Sequence, residues 1–135
     1  LMAEETLVAD IGPLKGMPLK TLWLNQTKVT DLSPLDGMPI VKLNLCGTQV
    51  EDISVVQSLP LNTIWLRDVP VKDFSPLEGL FLESIDAQGT SFGDADLARL
   101  KGMPLKRLNI AGTKVTDLTP LKRLLTFLHQ SFRLL

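Results

Sequence analysis

Asp10-Ile-Gly-Pro-Leu-Lys-Gly-Met-Pro18 returns 21 residues later as Asp31-Leu-Ser-Pro-Leu-Asp-Gly-Met-Pro39. The same aspartate recurs as Asp52 and Asp73. After one stretch that is two residues longer, it heads Asp117-Leu-Thr-Pro-Leu121. A fixed period of this length builds a solenoid, in which each turn packs mainly against its neighbours. Outward from the quoted block, each unit reads Leu-x-x-Leu-x-Leu-x-x-Thr-x-Val-x-Asp. Leu19, Leu22, Leu24, Thr27 and Val29 carry it first, then Ile40, Leu43, Leu45, Thr48 and Val50, then Leu61, Ile64, Leu66, Val69 and Val71. It returns at Leu82, Ile85, Ala87, Thr90 and Phe92, and at Leu105, Leu108, Ile110, Thr113 and Val115.

The second and third apolar positions of a unit are two apart, so on an extended strand they face the same side and the residue between them faces the other. One short strand per unit, always running the same way, makes a parallel sheet with strands about 4.8 Å apart. The return path begins at Ser33-Pro34-Leu35-Asp36 and Ser75-Pro76-Leu77-Glu78. Serine as cap, proline at the first helical position and an acid three residues after the cap spell a capping box. Gly37 and Gly79 then stop the turn, and the space left suits a single 3₁₀ or helical turn. The stretch Gly93–Leu100 lacks the proline and is longer. It reads as a proper α-helical turn, capped by Asp94 and ended by Gly102.

These units resemble the leucine-rich repeat family, with threonine where the family usually carries asparagine or cysteine. The short return segment resembles the bacterial internalin-like short-repeat subclass, and the Gly93–Leu100 unit resembles a second bacterial repeat type. The resemblance runs from Leu1 to about Leu121. It implies an α/β solenoid: a right-handed leucine-rich repeat array with a parallel β-sheet on the concave face and short 3₁₀ or helical turns on the convex face. It also implies that the array belongs to a larger bacterial protein. Partner identity does not follow, because the family binds unrelated partners on one scaffold.

Residues 1–135 make one domain of about five and a half repeats, each 21–23 residues long. The chain is 44% hydrophobic, enough for a stacked core. Fourteen basic and 15 acidic residues leave no strong field for nucleic acid or anionic lipid. A single cysteine, Cys46, forms no internal disulfide. No apolar run reaches the roughly 18 residues of a membrane span, and no signal-peptide pattern opens the sequence, so the compartment stays open. The chain starts in mid-repeat, with Thr6, Val8 and Asp10 on the Thr, Val and Asp positions. Since solenoid ends need capping, the sequence reads as a piece of a longer protein, the alternative being a short natural cap trimmed by processing. At the other end Leu121, Leu124, Leu125, Leu128, Phe132 and Leu135 follow helical spacing. A capping helix over 120–133 is expected; the rival is a degraded sixth repeat with Leu125 and Leu128 as strand leucines.

No catalytic constellation, phosphate loop or cofactor motif is present, so no enzyme activity and no cofactor are expected. His129 falls on the expected cap helix, and Cys46 reads as an inert, partly covered thiol. Asp10, Asp31, Asp52, Asp73 and Asp117 stack down one edge. One carboxylate per turn is too few for a six- to eight-coordinate calcium ion. Each is expected to accept local backbone N–H groups instead, and no metal site is assigned. Thr6, Thr27, Thr48, Thr90 and Thr113 form a structural ladder whose hydroxyls are expected to bridge adjacent turns. Val69, followed by Pro70, breaks it, so that unit should be irregular. Phe74, Phe81 and Phe92 are expected in the core.

The residues facing away from the core in each strand form a concave column: Met2, Trp23, Asn44, Trp65, Asp86 and Asn109. Both tryptophans fall in it, two strands or roughly 10 Å apart, beside Asn25, Lys42 and Arg67. An exposed tryptophan pair next to an arginine has the composition of an interface hot spot; the competing reading is that the rings only shield the sheet. Lys20, Lys42, Arg67, Lys106 and Arg107 are matched by Glu4, Glu5, Asp68, Glu83 and Asp86, which leaves no basic groove for nucleic acid and suits a protein or peptide of mixed charge. The expected function is non-catalytic protein recognition on the concave face. Trp23 and Trp65 are the anchors, with Arg67, Lys42, Asn44, Asn25 and Asp86 around them. The rivals are a structural spacer, an appended domain of a larger enzyme or surface protein, and self-association through an uncapped N-terminal end at Leu1, Val8, Ile11 and Leu14.

Overall fold

The computed structural model describes residues 1–122 and 133–134. Strands occur where the repeat places them: β1 Thr21–Trp23, β2 Lys42–Asn44, β3 Thr63–Trp65, β4 Ser84–Asp86 and β5 Arg107–Asn109. With β6 Arg133–Leu134 they form one sheet in chain order, every neighbouring pair parallel. The register never slips. Leu22, Leu43, Ile64, Ile85 and Leu108 stand side by side, all buried. Pairing continues beyond the strands: Leu24 N–H donates to Asn44 O and Gln26 N–H to Cys46 O, both at 2.8 Å. Each leucine that the repeat points inward removes apolar surface from water, worth about 1.5–3 kcal/mol when complete.

The return path consists of 3₁₀ turns at Gly12–Leu14, Ser33–Leu35, Ser54–Ser58, Ser75–Leu77 and Thr119–Leu121, with one helix, α1 (Asp94–Ala98). The expected capping boxes are not formed. Leu32 and Phe74 are the cap residues of their turns, and Asp36 and Glu78 end them. A three-residue turn is too short to bring that acid back to the cap. The aspartate ladder does the work: Asp31 accepts Ser33 N–H and Asp73 accepts Ser75 N–H, each at 2.9 Å, folding an Asx turn that launches the 3₁₀ segment.

The cap of α1 is Gly93 rather than Asp94, and Asp96 Oδ2 accepts the Gly93 N–H at 2.9 Å. Asp94 is thereby left to reach the next turn. It accepts Thr116 N–H at 2.8 Å, the Thr116 hydroxyl at 2.6 Å and Asp117 N–H at 3.1 Å.

The buried threonines bond within their own turn, not across turns as expected. Thr27, Thr48 and Thr90 donate to the carbonyls of Leu24, Leu45 and Ala87 at 2.7, 2.8 and 2.6 Å. Adjacent turns pair their backbone groups with each other, and each hydroxyl is a second donor to the local carbonyl that already accepts the same threonine's N–H. At Val69 the irregularity is small. Its N–H still bonds Leu66 O at 3.1 Å, Val71 N–H folds back to Val69 O at 2.8 Å, and the β3–β4 register is unbroken.

Phe74 and Phe92 meet edge-to-face in the core, with centroids 5.1 Å apart. Phe81 does not join them and is 79% exposed. It occupies the slot of Pro39, Pro60 and Pro104, which points out of the solenoid at every turn. Ile11, expected at an open end, is buried because it takes the inward slot of Leu32 and Ile53 just before a 3₁₀ turn. Leu1 and Val8 are exposed, and Leu14 is half-buried.

The capping helix expected over 120–133 falls mostly outside the described residues, as do Leu125, Leu128 and His129. Its two ends are described. Thr119–Leu121 is a 3₁₀ turn that ends, unlike those before it, in a helical residue, Lys122. Arg133 is not helical but pairs with Arg107 in β6, and Leu134 stands in register with Leu108. The edge of β5 is therefore covered by another strand, which satisfies backbone groups that would otherwise lie open.

Candidate functional site

Strand alternation puts two rows on the concave face. Thr21, Lys42, Thr63, Ser84 and Arg107 begin the strands, and Trp23, Asn44, Trp65, Asp86 and Asn109 end them. Residues two apart share a face, so both rows look the same way. The tryptophan rings meet across the Asn44 position at 6.2 Å between centroids and 63° between planes. They are closer than their backbones because both lean inward. This edge-to-face geometry suits the ring quadrupoles and is worth about 0.5–1.5 kcal/mol beyond burial. Both residues stay half-buried rather than covered. Trp23 Nε1, Asn25 Oδ1 and Glu4 Oε2 have no hydrogen-bond partner among the described residues.

The polar members of the column are partly occupied by the fold. Asn44 and Asp86 each accept the N–H two residues on, from Cys46 and Gln88, at 3.0 Å. Asn109 does the same with Ala111 at 3.1 Å, donates to Gln88 at 3.0 Å and is buried. Asp86 has an oxygen to spare, and Arg67 pairs with it at 2.9 Å.

Beyond Trp65 the face hollows into an open cavity of about 390 Å³ over β2–β5. Lys42, Trp65, Arg67 and Asp86 line it, so the structure gathers these expected residues. Trp23 joins only through its ring contact, and Asn25 and Asn44 lie outside the lining. Thr63 and Ser84 form part of the floor and were not among the expected site residues. Their position two residues before each column member was the signal that could have found them. The charges that balance along the whole face do not balance here. Four basic side chains, Lys42, Arg67, Lys106 and Arg107, face two acidic ones, Glu83 and Asp86. Lys106 is 3.7 Å from Glu83, and Arg67 holds Asp86. Lys42 and Arg107 have no ion pair among the described residues.

The aspartate ladder lies elsewhere and is chemically settled. Backbone N–H groups, then hydroxyls, of Ser33, Ser54 and Ser75 hold Asp31, Asp52 and Asp73 below the usual carboxylate range. The Thr119 hydroxyl and then its N–H do the same for Asp117, and the Thr116 hydroxyl leads for Asp94. Asp94 belongs to this ladder by spacing, 21 residues after Asp73. Cys46 is half-buried, and burial pushes its thiol up, away from the reactive thiolate.

Among solved structures, the chain is similar to an internalin C2 from Listeria monocytogenes. Identity is 31% and the TM-score 0.81, over 90% of this chain and 55% of that one. This chain is an internalin-like leucine-rich repeat array. A second internalin (inlF) from the same species matches at 26% identity and a TM-score of 0.76, over 94% of this chain and 37% of that one. The internalin-like array therefore spans about half the length of the first relative. No protein-family model and no curated protein matches it. The likeness is one of leucine-rich repeat architecture and points to no catalytic family.

Proposed function

We propose that this internalin-like array is a non-catalytic recognition module that seats a protein or peptide on its concave face. Trp23 and Trp65 are its anchors, with Arg67, Lys42, Asn44, Asn25 and Asp86 around them. The observation that carries the reading is the tryptophan pair. Both tryptophans of the chain, from strands two apart, form one half-exposed edge-to-face unit on that face. Such a unit offers a large rigid apolar area at low entropic cost, which is why tryptophan and arginine dominate interface hot spots.

The test compares proteins captured from the source organism's extract by the wild-type array and by a Trp23→Ala/Trp65→Ala variant of matched thermal stability. Any captured protein is then purified and mapped by hydrogen exchange. A partner that is lost with the variant and protects the β1–β5 concave amides is the expected result. If both forms capture the same proteins, or protection falls on the convex turns, the tryptophans only shield the sheet and recognition lies elsewhere on the array; if neither form captures any protein, the array acts as a spacer.

A further inference from the structure

We infer that the cavity beside Trp65 receives an acidic side chain, aspartate or glutamate, from the bound peptide, seated between Lys42 and Arg107. The inference rests on the concave-face reading above and names the chemistry of its ligand.

Three features converge on a carboxylate. The first is uncompensated charge. Arg67 and Lys106 have acidic partners, whereas Lys42 and Arg107 have none among the described residues. The chain as a whole carries a net charge of −1, so this local excess of cations is a separation of charge and not a reflection of composition. The aspartate ladder lies on a different edge of each turn. At physiological salt, charges more than about 8 Å away are largely screened, so the cavity's own cations set its potential.

The second feature is placement. Lys42, Thr63, Ser84 and Arg107 occupy one level of four adjacent strands. Three strand spacings separate the two cations by about 14 Å at the backbone. Side chains of their length can close that span from both sides around a single carboxylate. The third is the donor between them. The Thr63 hydroxyl already donates to Asn62 Oδ1 at 2.9 Å. The Ser84 hydroxyl is uncommitted among the described residues and lies between the cations. An ammonium, a guanidinium and a hydroxyl make a donor set that a carboxylate accepts and a neutral side chain leaves unsatisfied. The face of Trp65 alongside takes the apolar neighbour of that acid.

A nucleic-acid backbone fits less well. Tight phosphate binding uses on the order of 6–10 cationic contacts, and only two unpaired cations are present here.

The probe is a phage-displayed library of random twelve-residue peptides, panned on the wild-type array. The consensus is then made as a soluble peptide, alongside a version with glutamine or asparagine replacing each acid, and binding is read by fluorescence anisotropy. The expected consensus carries an acid next to an aromatic or aliphatic residue. Binding should fall about tenfold on amidation of the acid, and by a similar factor in Lys42→Gln and Arg107→Gln variants. Both residues are exposed and unpaired, so these variants keep the wild-type melting temperature. An Arg107→Glu variant should reverse the preference and select lysine-bearing peptides. A Trp65-dependent consensus without acids, indifferent to Lys42 and Arg107, would overturn the carboxylate seat and leave concave recognition standing. No consensus at all would overturn both. A twelve-nucleotide DNA strand that binds more tightly than any peptide would overturn the seat in favour of phosphate.

Discussion

Thr48 and Val69 occupy the same slot in neighbouring turns and differ by one hydroxyl. Thr48 donates to Leu45 O at 2.8 Å in addition to the backbone bond that both residues make, while Val69 contributes the backbone bond alone. Replacing Thr48 with valine should cost about 1 kcal/mol, and Val69→Thr should recover a similar amount by giving Leu66 O its second donor. Urea unfolding of the two variants checks both signs. The threonine ladder was legible from the period, but the partner of each hydroxyl was not. Spacing says which residues are buried; it does not say which carbonyl takes the hydroxyl as a second donor. Phe81 teaches the same lesson from the other side. Its aromatic character suggested the core, whereas its position in the proline slot put it outside. Phe81→Pro should therefore leave stability nearly unchanged, while Phe74→Ala, in a buried ring pair, should cost about 3–5 kcal/mol.

At the scale of the element, the return turns are launched by aspartates that stay charged. Asp31, Asp52, Asp73, Asp94 and Asp117 all sit below the usual carboxylate range because local N–H and hydroxyl donors favour the ionised form. A carboxylate whose folded pKa is depressed stabilises the fold fully above its unfolded value, about 3.9, and loses that contribution as pH falls through the folded value. Acid unfolding should therefore set in below about pH 4. Substituting Asp31, Asp52 and Asp73 together by asparagine should shrink this acid-dependent loss, because asparagine keeps the Asx turn and removes the titration. Stability measured by urea titration from pH 7 to pH 2 reads it directly. Strands and register were legible in the sequence because a period of 21 residues leaves only one pairing that keeps every leucine inside. The caps were not. Ser-Pro-Leu-Asp spells a capping box, but a three-residue turn ends before the acid can return. Asp94 was in ladder register throughout, yet its bonds to Thr116 and Asp117 cross to the next turn, a distance that local pattern does not measure. Beyond Leu121 the leucine spacing suits helix and strand alike, and β6 at Arg133–Leu134 is where the strand pairing is observed.

In the molecule as a whole, stability is the sum of stacked turns, each coupled to its neighbours. Leu43 is fully buried on an interior strand, so Leu43→Ala should cost about 2–5 kcal/mol. The candidate site divides in the same way as the fold. The concave column was readable from strand alternation, and the tryptophans were found in it. The cavity was not readable, because it depends on which charges neutralise one another across turns, as Arg67 does with Asp86. Those pairs leave Lys42 and Arg107 exposed on a face that appears neutral when its residues are merely counted. The central claim is that this face is where the array meets its ligand. Both tryptophans of the chain lie there, so intrinsic fluorescence reports on the concave surface alone. The most direct measurement titrates the array with a selected peptide that lacks tryptophan and follows the emission. A saturable blue shift tracking the bound fraction is the expected result. Saturation of binding by anisotropy with unchanged tryptophan emission would contradict it.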